Sequence, residues 1–224
     1  ASTPGGGYDN YARLVGRHMG RHIPGNPTFA VSNMSGAGGN LAAGHLFSLP
    51  VKDGTAMALV LPSTITAGLY LNKEKLRHDP QKFVFLGRAN SEVDQWIENG
   101  FIRMLSQNHL EGMPFANSRG VPKAIEFAKS PETRAVMELV YSQQAFGRPF
   151  VMAPGNPPGR VQILDRAFQT TMSDPEFLAD AARVKLDINP VFSGPLRVIA
   201  DRIYATPDEV VQRAVEALGY NASK

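Results

Sequence analysis

Cysteine is absent from the 224 residues, which excludes disulfides and thiolate metal sites outright. No apolar run reaches the length of a membrane span. There is no long lysine or arginine run, no internal repeat and no low-complexity segment. The 23 basic residues exceed the 20 acidic ones by only three. That shallow excess mildly favours anionic ligands and is no nucleic-acid footprint. Several catalytic patterns are missing too. No glycine-rich loop runs into a GK[ST] sequence, so a P-loop is out. There is no GxSxG elbow and nothing spaced like a Ser/His/Asp set. Gly36-Ala37-Gly38-Gly39 stops short of a dinucleotide fingerprint: Leu41 stands where the third glycine belongs, and no acidic residue closes the next strand at Leu61. His18 and His22 lie four apart, as zinc ligands can, but without the HExxH glutamate or a third ligand. They read as residues bordering the core and bonded locally. Asp94 and Glu98 read as solvated helix charges. An enzyme is possible, but no residue nominates itself for catalysis, and no cofactor or metal is expected. No signal peptide precedes the chain, which opens at Ala1 rather than Met, and trimming of the N-terminus is expected.

With 43% hydrophobic and 19% charged residues, the composition is that of a globular protein long enough to bury a core unaided. Apolar residues at helical spacing run from Asp9 to His22, until Pro24-Gly25-Asn26-Pro27 stops them. Thr28 to Asn33 reads as a strand. Helices follow over about 40–49 and 65–70, and strands over Met57 to Leu61 and Lys82 to Leu86. This alternation predicts an α/β fold, a mostly parallel sheet flanked by helices. Further on, Ile102 to Leu105 reads as a short strand. Pro122 to Lys129 and Pro131 to Gln144 read as helices, and Pro149 to Met152 as a strand. Val161, Leu164, Phe168 and Met172 share one face of a helix over 160–172. Asp174-Pro175-Glu176 opens another helix, with Asp174 as N-cap. Helices over 194–204 and 206–218 complete the chain, and Glu209 is placed for a capping box.

The glycine loops are the candidate functional elements. Gly5, Gly6 and Gly7 precede a helix, where a bare backbone can approach a ligand and free N–H groups attract carboxylate or phosphate. In a parallel α/β sheet such loops gather at the carboxyl ends of the strands. A plain strand–helix turn fits the same residues. Ser63 and Thr64 directly follow the MALVL strand and would face the same sheet edge. They also fit an N-cap, and both roles can hold together.

The stretches TPGGGYDNYARLVGRHMGRHIPGNP, VSNMSGAGGNLAAGHLFSLPVKDGTAMALVLPST, DPQKFVFLGRANSE and GRPFVMAPGNPPGRVQILDRAFQTTMSDPEFLADAARVKLDINP resemble, in order and spacing, the periplasmic substrate-binding receptors of tripartite tricarboxylate transporters, the Bug-type family. The resemblance implies a periplasmic, two-lobed, non-enzymatic protein. Such a receptor hands a small organic acid, whether tricarboxylate, dicarboxylate or acidic amino acid, to membrane components of a transporter. It also implies that Gly5, Gly6, Gly7 and Tyr8 form one side of the ligand grip, with Ser63 and Thr64 as neighbours. Two departures stand out. Only Ala1, Ser2 and Thr3 remain of the family's first strand, and about one small domain is missing between Val93 and Trp96. Residues 1–93 and 131–224 then represent the two halves of the first lobe, and 94–130 a crossover remnant of the deleted second lobe. An exposed sheet edge and an apolar patch are expected where those pieces should lie. Two other readings remain: an α/β enzyme acting on a phosphate- or carboxylate-bearing substrate, and a remnant lobe that binds no solute and serves as an interaction module.

Overall fold

A computed structural model of the chain describes residues 3–71, 76–90, 105–108, 110, 112 and 114–220. Its sheet is built from four short apolar runs: β1 (Ala58–Leu59), β2 (Val84–Arg88), β3 (Pro149–Met152) and β4 (Val191–Phe192). Their spatial order is β1-β3-β2-β4. The period-two alternation of side chains sends Leu59, Leu86, Phe150 and Met152 to one face, and Val60, Phe85 and Val151 to the other. Both faces are apolar, so both must be covered.

On the first face lie α1 (Gly7–Met19), α6 (Pro158–Ser173) and α7 (Pro175–Arg183). Tyr11, Leu14, Val15 and Met19 of α1 pack there with Phe168 and Met172 of α6 and Phe177 of α7. On the second face lie α2 (Asn40–Ser48), α3 (Pro62–Tyr70), α5 (Pro131–Ser142), α8 (Ser193–Tyr204) and α9 (Asp208–Ala217). These helices contribute Leu46, Ile65, Leu139, Leu196, Ile203 and Ala214. A single turn of helix, α4 (Pro114–Ser118), lies between β2 and α5 in the chain. The result is a three-layer α/β body in which both halves of the chain feed one sheet.

Every described strand pair is antiparallel, which corrects the expectation of a mostly parallel sheet. The reason is the place of β3. It returns from the second half of the chain and inserts between β1 and β2, against both. β1 and β2 therefore point the same way, as the βα alternation requires, yet never touch. Thr28 to Asn33, expected as a strand, runs outside any described ladder. β4 was not anticipated, because two residues carry no period. The helix expected over 122–129 is a 3-10 turn, Ala124–Phe127. Glu209 makes no capping box, because α9 begins at Asp208 behind Pro207 with no side-chain cap. The expected strand at Ile102 to Leu105 lies, but for its last residue, outside the described residues. So do the pair Asp94/Glu98 and the junction between Val93 and Trp96.

Two details fix the packing. Gly87 sits at a register shift in β2 with φ 153°. A Cβ there would stand 2.4 Å from Phe168 and 2.9 Å from the Val191 carbonyl oxygen. Along α1 and the 3-10 turn that continues it (Gly20–His22), a row of arginines and histidines meets α7 and its N-cap. Arg17 Nη2 and His18 Nε2 reach Asp180 Oδ2 at 2.8 and 3.1 Å, and Arg21 Nη2 and His22 Nε2 reach Asp174 Oδ2 at 2.6 and 2.7 Å. The two histidines thus bind separate carboxylates, the local bonding expected from the sequence.

Candidate functional site

The first turn of α1 begins at Gly7 behind Gly6, and no side chain caps it. The first intrahelical bond runs from Asn10 N to Gly6 O at 3.0 Å. Helix geometry gives the amides ahead of it no intrahelical acceptor and concentrates partial positive charge there. Asp9, the nearest carboxylate, is turned away and saturated. It accepts from Gly5 N at 2.8 Å, from Arg13 Nε at 2.9 Å and from Asn33 Nδ2 at 2.8 Å. The hydrogen bond from Arg13, with those from Gly5 and Asn33, brings its pKa down to about 2. The carboxylate therefore shapes the loop instead of filling its mouth.

Facing this turn is Arg148, the residue before β3. A Cβ on Gly7 would stand 3.0 Å from Arg148 Nη2. The guanidinium carbon lies 5.3 Å from the ring centre of Tyr8 and 4.4 Å from that of Tyr11, a cation–π pairing that fixes its direction. Its own backbone N–H donates to Asn90 O at 3.1 Å. Tyr8 OH donates to Gly147 O at 3.2 Å, and Asn90 Nδ2 to the Tyr11 hydroxyl at 2.9 Å. Gly5 and Gly7 are exposed, while Gly6, Tyr8 and Arg148 are partly exposed. A guanidinium and an uncapped helix start thus converge at a partly open rim.

Ser63 and Thr64 belong to the same end of the sheet but to another loop. Val60 N donates to Pro149 O at 3.1 Å, so α3 opens just past the strand that carries Arg148. Ser63 is exposed and Thr64 fully buried. Their hydroxyls turn to the Gly38 carbonyl oxygen at 3.5 and 3.4 Å. They lock the second glycine turn onto α3, and only the Ser63 hydroxyl is open to a solute. At the adjoining end of β2, paired with Pro149, Arg88 is 7% exposed, and among the described residues its Nε and Nη1 have no hydrogen-bond partner. Burial pushes its pKa below the usual arginine value.

Two solved structures share this architecture. One, described as the structure of periplasmic binding protein BugD, superposes with a TM-score of 0.56 and 14% identity, over 95% of this chain and 94% of that one. The other, described as the structure of a periplasmic transporter, gives 0.52 and 18%, over 96% and 93%. The chain has the fold of a periplasmic binding protein. At these identities the likeness shows the fold alone. No protein-family model and no curated protein matches the sequence.

Arg148 was missed at the sequence level. Its signal was a lone cation at the head of the PFVM strand. That signal carries weight only once β3 is known to lie beside the first glycine loop.

Proposed function

We propose that this chain is a solute-binding receptor lobe of the Bug type, which captures a small organic carboxylate in the periplasm for a tripartite tricarboxylate transporter. The observation that carries the reading is the convergence of Arg148 with the uncapped start of α1. A carboxylate oxygen placed there meets a planar two-pronged donor and backbone N–H groups together, a pairing suited to a carboxylate. Gly5, Gly6 and Gly7 keep the approach open, Tyr8 orients Arg148, and Ser63 stands on the neighbouring loop with Thr64 buried behind it. The fold of a periplasmic binding protein supports a binding role, and no described helix is long and apolar enough to cross a membrane.

In this reading residues 1–93 and 131–224 form one lobe, 94–130 are a remnant of the crossover, and the opposing jaw is missing. Small-molecule sites normally hide most of the ligand surface. A single rim leaves the acid half in water, where each hydrogen bond gained is offset by solvation lost. The expected affinity is therefore low, with a dissociation constant of about 1 mM. The test is a titration of the protein with citrate, succinate and glutamate, followed by amide NMR at Gly5–Tyr8. At least one acid is expected to shift those resonances in the millimolar range, and Arg148→Ala is expected to abolish the shift. If none of the acids moves them, the carboxylate site is wrong. Micromolar affinity would remove the missing jaw from the account.

A further inference from the structure

Arg88 is a buried charge that the rim at Arg148 does not use. Its partners in the ladder are Pro149 and Val191, and neither side chain can accept a hydrogen bond. Only 7% of it is exposed, and among the described residues its Nε and Nη1 are sealed from water without a partner. The exposed arginines of α1 and its 3-10 turn are better served, since Arg13, Arg17 and Arg21 each hold a carboxylate. A cation taken out of water with no counter-charge is among the costliest arrangements in a protein interior. An unsatisfied group of that kind points to an ion or ligand that completes it.

Its place in the ladder indicates the ligand. Arg88 pairs with Pro149, so both lie on the side of the sheet that Val151 occupies. Arg148 comes one position before Pro149, and its guanidinium lies on the other side, against Tyr8 and Tyr11. The Arg148 N–H donates to Asn90 O, two positions past Arg88. Two guanidinium groups therefore flank the same strand ends, one above the sheet and one below. We infer that Arg88 is a second anion-binding residue, which takes the second carboxylate of the solute whose first carboxylate Arg148 holds. The inference rests on the carboxylate reading of the Arg148 rim for that first group alone. A planar fork suits a carboxylate, and a solute with two acid groups meets one fork at each end. A monoacid gains from one fork only and leaves the buried cation unmatched.

The experiment compares succinate with butyrate, which has the same carbon chain and a single carboxylate. Both are titrated into the wild-type protein, Arg88→Met and Arg88→Lys, and amide NMR reads Gly5–Tyr8 separately from Arg88 and Val191. Succinate is expected to shift both groups of resonances and to bind about tenfold or more tighter than butyrate. Arg88→Met should bring succinate down to the affinity of butyrate. Arg88→Lys, which keeps the charge and loses the fork, should retain part of the preference. With no acid present, Arg88→Met should melt at the wild-type temperature or above it, because an unpaired buried charge is gone. A Tm lower by about 5 °C or more, or failure to fold, overturns the inference by making Arg88 a structural residue. So does a preference for succinate that survives Arg88→Met, and so does butyrate shifting Arg88 as strongly as succinate does. If succinate moves Arg88 and leaves Gly5–Tyr8 still, Arg88 stands as an anion site and the Arg148 reading fails. If both acids move Gly5–Tyr8 with equal affinity, the Arg148 reading stands and the inference about Arg88 fails.

Discussion

Arg148 and Gly87 show how much a single position depends on neighbours that are distant in sequence. The glycines ahead of α1 announce a close approach of backbone to something, and the structure keeps them exposed at a rim. What they approach could not be read from the local pattern, because Arg148 reaches them across 141 positions, counting from Gly7 (148 − 7). Gly87 was equally silent, being one glycine just past a predicted strand. Its positive φ and the nearby Phe168 ring leave no room for a side chain. Gly87→Ala should destabilise the fold by about 2–4 kcal/mol, combining overpacking with backbone strain. Thermal unfolding would check this. A change of less than about 0.5 kcal/mol, the range of ordinary surface substitutions, would show that the register shift is soft.

The elements divide by how they are held. Helices with a long apolar stripe were legible from spacing alone, as α6 was from Val161, Leu164, Phe168 and Met172. β1 was legible within the strand expected over Met57 to Leu61, whereas β4 was not, since its two residues carry no period and are defined by what lies beside them. Thr28 to Asn33 has the composition of a strand, but the described residues supply no ladder for it. The boundary between α6 and α7 was legible because Asp174 is a strong N-cap, accepting from Glu176 N at 2.9 Å and Phe177 N at 3.4 Å. The same carboxylate binds Arg21 and His22, in the 3-10 turn that continues α1, through its other oxygen. Removing it separates the two duties. Asp174→Ala should cost about 1–2 kcal/mol through the lost cap, and more as α1 loses its anchor. Asp174→Asn keeps a capping acceptor and should cost less. Urea unfolding of the two variants would measure the difference, and equal losses would show that the cap contributes nothing.

At the scale of the whole molecule, the carboxylates set the acid limit. Burial alone would raise the pKa of Asp174, but hydrogen bonds from His22, Glu176 N and Arg21 outweigh it and bring the value to about 2. Asp9 falls to about 2 through Arg13, Gly5 and Asn33. Asp180 is lowered by His18, Arg17 and Arg183. A carboxylate depressed in the folded state contributes its full stability above its unfolded pKa, about 3.9. That contribution disappears as pH falls through the folded value. Tm should therefore respond little to these groups between pH 7 and 5 and drop steeply from about pH 4 towards 2. Melts across that range check the expectation, with Asp9→Asn flattening part of the slope. An unchanged slope in the variant would remove Asp9 from the account. The α/β class and the rim of helix starts were legible from the alternation of elements. The antiparallel pairing was not, because β3 arrives from the far half of the chain, and no local pattern records which gap a returning strand will occupy.

That returning strand also dictates the order of events during synthesis. β1 and β2 have no contact with each other until residues 149–152 slide between them. A nascent chain cut at residue 90 would therefore hold helices but no sheet, with both apolar strand runs bare. The ribosome must deliver the chain through Met152 before the centre of the molecule can close. Until then the emerging half is a client for whatever shields sticky chains in the cell.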